Sequence, residues 1–395
     1  MPKPARGEAA PRVPDAAGGR GHERFIPSLQ AVRGIAAFFV VVYHAEVFLR
    51  DVGASTNLPG VRLGWVGVDL FFVLSAYVLT RALRASRSPR YLDFLVDRLL
   101  RVLPAYYVAL AATGVALIAF DPSAFRPVPI LANVVLVQNL HPAWLTALSS
   151  TFWTLAVEVQ FYLLLPFLIS KHLTRRRLVW LVVFALLMAA TVRAIFFAPD
   201  AIIHSSMSLP AFGFHFALGV VAAHVGAVAR PGIWLAAAVP LLALPPWLGT
   251  PPGSTGFEGG SVAEATLVRP LIAVGCLALV LAAASPGRLR RALESPVWLW
   301  LGKISFSLYL IHAVVLAKTL RICEWLGLPA AQHPHLYLGL GIGLSLLVGK
   351  ALYGVVEGPA EAWRRQRKGR ERLGLKELDH PKCEQPGRTR AVSWS

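Results

Sequence analysis

Long unbroken apolar blocks constrain this chain more than any other feature. Residues 35–49, 102–120, 178–197 and 336–356 are each close to the roughly 20 apolar residues that a helix needs to cross about 30 Å of hydrocarbon. Ten such spans are expected, at 35–50, 64–83, 102–120, 151–169, 178–197, 208–228, 232–248, 266–284, 302–322 and 336–356. The composition agrees. Hydrophobic residues make up 56% of the 395 and charged residues 15%, against about 25% charged in a soluble domain. That balance excludes a disordered chain and a soluble globular one. The fold class is therefore all-α, a polytopic integral membrane protein with about ten transmembrane helices. The stretch 127–140 is apolar but short and is broken by Pro129 and Asn133, so it reads as a re-entrant or interfacial piece.

The distribution of Lys and Arg sets the orientation. The first 28 residues carry Lys3, Arg6, Arg12, Arg20 and Arg24; the loop after the second span carries Arg84, Arg87, Arg90, Arg98 and Arg101; the chain after Gly358 carries ten more. Loops on the other side carry almost none. An even number of spans with this bias puts both termini in the cytoplasm. The division expected is a disordered cytoplasmic lead over 1–28, a ten-span membrane domain over 29–357 and a basic cytoplasmic tail over 358–395. The net charge of +18 then follows from topology and attraction to anionic lipid in the bilayer, and no folded nucleic-acid module accompanies it. Cys276, Cys323 and Cys383 have neither disulfide-framework nor zinc-site spacing, so no metal is expected.

Ionisable groups at membrane depth are costly, and each is a candidate for function. Four stand out: His44 in the first span, Asp69 in the second, Glu158 in the fourth beside Trp153, and His312 in the ninth, three residues after Tyr309. Their depths converge, which predicts one shared polar site, with Ser75 deeper in the second span. His215 and His312 also suit plain interhelical hydrogen bonding. Arg33 and His44 are eleven residues apart, so one continuous helix puts both on nearly the same face about 16 Å apart. A ligand with an anionic head and a long thin arm fits that pair, and acyl-CoA has this shape. Arg98 and Arg101, at i and i+3, add a cationic pair suited to phosphate.

Five blocks resemble the acyltransferase-3 family of membrane O-acyltransferases. They are Leu29-Gln30-Ala31-Val32-Arg33-Gly34 through Tyr43-His44, Gly64-Trp65-Val66-Gly67-Val68-Asp69-Leu70-Phe71-Phe72-Val73-Leu74-Ser75, Arg98-Leu99-Leu100-Arg101, Phe152-Trp153-Thr154-Leu155-Ala156-Val157-Glu158-Val159-Gln160-Phe161-Tyr162, and Gly302-Lys303-Ile304-Ser305-Phe306-Ser307-Leu308-Tyr309-Leu310-Ile311-His312. Three positions depart from the family pattern: Ala76 stands for a usual Gly, Asp97 for a basic residue, and Val159 for the second Glu of its block. The resemblance implies a stand-alone membrane module of the bacterial inner membrane. It would transfer an acyl group, usually acetyl from acetyl-CoA as co-substrate with no bound cofactor, to a hydroxyl of a cell-surface or lipid-linked sugar; other members acylate macrolides.

Such chemistry needs a base for the hydroxyl and a site where water does not compete. His44 is the base candidate, with Glu158 orienting it or sharing its proton. Arg33 would hold the donor's phosphates or stabilise charge, with Arg98 and Arg101 beside it as donor-binding residues. Asp69, Ser75, Trp153, Tyr309 and His312 are the supporting residues. Direct attack and an acyl-enzyme on Ser75 or His44 both stay open. A transporter in which His44, Asp69, Glu158 and His312 form a proton relay is the competing reading.

Overall fold

The computed structural model describes residues 25–86, 90–169, 173–196, 207–243 and 267–372. Among these every regular element is helical. The helices are α1 (Pro27–Asp51), α2 (Val66–Ala85), α3 (Tyr91–Phe120), α4 (Pro127–Val134), α5 (Pro142–Leu145), α6 (Trp153–Leu168), α7 (Arg175–Phe196), α8 (Leu209–Val225), α9 (Pro231–Leu242), α10 (Arg269–Ala284), α11 (Arg288–Leu293), α12 (Pro296–Trp325), α13 (Pro334–Leu352) and α14 (Gly358–Arg372). Each of the ten expected spans overlaps one of them, with 197, 244–248 and 266 lying outside the described residues. Six helical stretches are long and apolar enough to cross a membrane; α6, α8, α9 and α10 are apolar helices of 10–17 residues. The expected lead falls almost wholly outside the described residues, as does 373–395 of the tail.

The surface is that of a membrane protein. Phe39, Leu164, Phe167, Leu187 and Val355 all point outward and are at least half exposed or nearly so. A water-soluble helix would bury that stripe, whereas lipid satisfies it. The 127–140 stretch folds as α4 and a single 3-10 turn at Gln138–Leu140. Tyr106 of α3 donates its hydroxyl to the Asn133 carbonyl at 2.7 Å, which ties the piece down without spanning.

Two expected boundaries move, in a way that matters. The helix α1 begins at Pro27 rather than 35, with proline at its first position where no intrahelical N–H is lost. Likewise α3 begins at Tyr91, eleven residues before the apolar block. Arg33, Arg98 and Arg101 are therefore rigid helical residues and not loop residues.

Packing is organised around α1, which lies along α12 on one side and α2 on the other, while α12 continues onto α13 and α2 onto α8. Gly34 and Gly302 mark a backbone-to-backbone crossing of α1 and α12. A Cβ on Gly34 would meet the Leu301–Gly302 backbone, and one on Gly302 would meet the backbone of Gln30. Small residues at such a crossing let van der Waals packing replace the hydrophobic drive that lipid removes. Gly302→Ala is expected to cost about 1–3 kcal/mol of stability by overpacking. Gly343→Ala, where a Cβ meets nothing within 4 Å, is expected to be neutral or slightly stabilising. Thermal unfolding of the detergent-solubilised variants checks the contrast.

Candidate functional site

A cavity of about 800 Å³ runs into the bundle from the end that carries Arg33. Its walls come from α1, α2, α3, α6, α12 and α14. Arg33, Ser75, Arg98, Arg101, Glu158 and Tyr309 all lie on that wall; of the four ionisable groups expected to share one polar site only Glu158 is there, and His44, His312 and Asp69 are not among the lining residues. The Arg33 Nε donates to Ser305 Oγ at 2.8 Å, and the Ser305 hydroxyl in turn donates to the Gly302 carbonyl at 2.8 Å. Arg33 is thus held to α12 right beside the glycine crossing.

The two histidines meet. His44 Nδ1 and His312 Nε2 are 3.1 Å apart, with ring centroids 5.0 Å apart. The glycine crossing explains why. His44 is ten residues beyond Gly34 and His312 ten beyond Gly302. On two helices running the same way, both climb about 15 Å from the contact and arrive at the same height.

Hydrogen bonding fixes the tautomers. His312 Nδ1 faces the carbonyl oxygens of Tyr309 at 2.8 Å and Leu308 at 3.3 Å, which only accept, so Nδ1 carries the proton and Nε2 is a bare acceptor. His44 Nδ1 faces the Val40 carbonyl at 3.0 Å and His312 Nε2, so it too carries the proton and donates. His44 Nε2 is left with its lone pair. That is the state a general base requires, with His312 holding the ring from behind.

Glu158 does something other than orient His44. It accepts the Ser75 hydroxyl at 2.6 Å, on the cavity wall, and also bonds the Tyr162 hydroxyl. The orienting position expected of Glu158 is filled by His312. Tyr309 stands between His312 and α6. Its ring lines the cavity, stands in T-shaped contact with Phe71 at 5.3 Å and touches the His312 ring at 5.7 Å, while its hydroxyl lies 3.1 Å from Thr154 Oγ1.

Asp69 departs from the single shared site. It is fully buried away from the cavity wall, with His215 Nε2 at 2.7 Å and Arg269 at 3.3 Å from its Oδ1. Arg269 stacks over the Trp65 ring at 4.7 Å, and Arg193 lies over the Phe212 ring at 5.6 Å. The reason is rotational: Asp69 is six residues from Ser75, about 600° of helix, so the two side chains point about 120° apart, and the intervening Phe72 packs on Phe212. Depth along the membrane normal matches while the helix face differs. Trp153 is also off the wall, buried in the aromatic cluster with Phe72 and Phe212 at 6.2 and 5.6 Å.

Sequence reasoning missed three acids. Asp97 gathers Arg364, Lys368 and Arg98 at 2.9, 2.8 and 3.4 Å. Glu361 pairs with Arg101 at 3.8 Å. Glu357, buried in a single π turn at Tyr353–Glu357, accepts from the Ser307 hydroxyl at 2.6 Å and from its backbone N–H at 3.2 Å. The departure of Asp97 from the family pattern was the available signal.

Asp69→Asn is expected to cost about 3–5 kcal/mol, because it strips the carboxylate from a buried cation. Ser75→Ala, which removes one partly buried hydroxyl, is expected to fold. The comparison is read from folded yield and thermal unfolding of the two variants.

Comparison with known proteins gives a consistent picture. A family model described as an acyltransferase domain matches residues 26–354. The chain is similar to the putative peptidoglycan O-acetyltransferase YrhL of Bacillus subtilis, 27% identical over 198 residues, covering 45% of this chain and 30% of that protein. It is also similar to the peptidoglycan O-acetyltransferase OatA of Listeria monocytogenes, 27% identical over 163 residues, covering 37% of this chain and 24% of that protein. The acyltransferase MdmB of Streptomyces mycarofaciens is 26% identical over 376 residues, covering 85% of this chain and 91% of that protein. The matched region spans under a third of the length of the first two relatives. No solved structure matches the chain.

Proposed function

The chain belongs to the acyltransferase-3 family, and from that premise we propose that it moves an acyl group, acetyl in the simplest case, from acyl-CoA to a hydroxyl of a sugar at the cell surface or on a lipid carrier. The observation that carries the reading is the bare Nε2 of His44, backed by His312, at the far end of helices whose other end opens a basic-walled cavity. Two of the relatives bear names that specify peptidoglycan as acceptor, which supports a glycan here as well.

The chemistry balances on these residues. The acceptor oxygen attacks the thioester carbonyl carbon as its proton passes to His44 Nε2. The imidazolium so formed keeps donating Nδ1–H to His312 Nε2, whose lone pair steadies the charge. The tetrahedral intermediate collapses with cleavage of the C–S bond, and the proton on His44 goes to the departing sulfur. The products are the sugar ester and the free thiol. His44 is half-buried, in a setting where water competes poorly. Arg33, Arg98 and Arg101 line the wall where the phosphates of the donor would sit. On this reading the cavity mouth faces the cytoplasm of a bacterial cell, where acyl-CoA is found, and both termini lie on that side, as the Lys and Arg bias supports.

A proton relay for transport would need Asp69 in line with His44, His312 and Glu158. Asp69 instead bonds His215 and Arg269. Consumption of acetyl-CoA by the purified protein in the presence of a crude glycan separates the two readings.

Within the proposal, His44→Ala is expected to lower turnover by about 10²–10⁴ while leaving the fold intact. Retention of most of the wild-type rate would move the base elsewhere. Arg98→Ala with Arg101→Ala is expected to weaken CoA binding more than it lowers turnover at saturating donor, since contacts far from the reacting carbon are shared by ground and transition states. Calorimetric titration with CoA, beside initial rates, checks this.

A further inference from the structure

The tail was expected to be only a basic appendage, yet its first fifteen residues form α14 and supply part of the cavity wall. Helix α14 is docked onto α3 by charge. Asp97, on α3 and almost fully buried, receives Arg364 Nη1 at 2.9 Å on both oxygens and Lys368 Nζ at 2.8 Å. Glu361 of α14 returns the contact to Arg101 of α3 at 3.8 Å. Both pairs sit beside the mouth, so docking carries Arg364 and Arg365 to the lining.

The charge there is unbalanced. Seven basic side chains line the cavity against two carboxylates, Glu158 and Glu361. One carboxylate, Asp97, serves Arg364, Lys368 and Arg98 together. Moreover Arg98 Nε and Arg364 Nε are buried atoms with no hydrogen-bond partner, although each side chain is only 12–13% exposed. A buried guanidinium N–H left without an acceptor is destabilising until one arrives. Arginine presents a planar fork of donors that matches phosphate oxygens. Lys303, stacked over the Tyr353 ring at 5.3 Å, extends the same basic rim across the mouth.

We propose that α14 is a phosphate-binding element of the donor site: Arg364 and Arg365 hold phosphoryl oxygens of the nucleotide end of acyl-CoA, and Asp97 is the positioning residue that docks them there. The proposal rests on the acyl-CoA reading above. It adds a second layer of contacts to Arg98 and Arg101, contributed by chain that follows the last span. It also gives Asp97 a purpose in place of the basic residue usual at that position: a carboxylate there recruits two cations from α14.

The test uses the full chain in lipid nanodiscs, with acetyl-CoA and S-acetylpantetheine, which has the same thioester arm and no phosphate, as donors. Arg364→Gln with Arg365→Gln is expected to raise KM for acetyl-CoA about tenfold and to lower the ratio of acetyl-CoA to S-acetylpantetheine efficiency by a similar factor. Arg365→Gln alone, at a side chain 76% exposed that folding does not need, is expected to shift the same ratio about threefold and to flatten the rise of KM with salt. An efficiency ratio equal to wild type in both variants overturns the proposal and leaves these arginines to the lipid headgroups. If the wild type neither binds CoA nor consumes acetyl-CoA, the donor reading fails and this inference with it. A wild type that does both, beside unchanged variants, defeats this inference alone.

Discussion

The contact between Gly34 and Gly302 is the constraint on which the site depends. Two helices 268 residues apart in sequence touch backbone to backbone there, and nothing larger than a hydrogen fits on either side. Once that point is fixed, helical geometry fixes the rest. Arg33 reaches Ser305 within a turn of the crossing, and ten residues further along both helices the two imidazoles arrive opposite each other. One crossing therefore sets both the position of Arg33 and the meeting of the two imidazoles on the same helix pair. A slip of one residue along either helix would rotate its histidine by about 100° and break the pair.

The bundle keeps its buried charge in separate compartments. Around the cavity, cations outnumber acids, as suits a ligand that brings negative charge. Around Asp69 the carboxylate is shared by His215 and Arg269, with aromatic faces on the guanidinium groups, and the group lies buried between α2, α8 and α10. Such clusters are expensive to bury and more expensive to break, so they fix the mutual position of the helices that contribute to them. The His44 and His312 pair belongs to neither compartment. Two neutral imidazoles carry no net charge to desolvate, so the pair can be buried without a carboxylate partner.

The sequence made the helical membrane architecture plain, because ten apolar blocks leave little choice. It also showed the Arg33 and His44 register, since both lie on one helix and helical periodicity is a local property. Where two helices had to meet, it was silent. His312 was visible as a polar group at the right depth, but its place behind His44 follows from the glycine crossing, and Gly34 and Gly302 look like any of the 32 glycines in the chain. Asp69 shows the limit of depth as a guide: it has the right height and the wrong face. The tail shows another limit. Its basic residues read as a solvated run because their partners, Asp97 and the cavity mouth, lie some 260 residues away.

The central claim is that His44 is held with Nδ1 protonated and Nε2 bare, by a neighbouring histidine in the same tautomer. Long-range 15N–1H correlation spectra of the histidine-labelled protein, with His44→Ala and His312→Ala samples to assign the two rings, report this directly. The account predicts the Nδ1–H tautomer for both rings at neutral pH, and a change in the His44 pattern when His312 is removed. A His44 ring carrying its proton on Nε2, or one indifferent to the loss of His312, would contradict it.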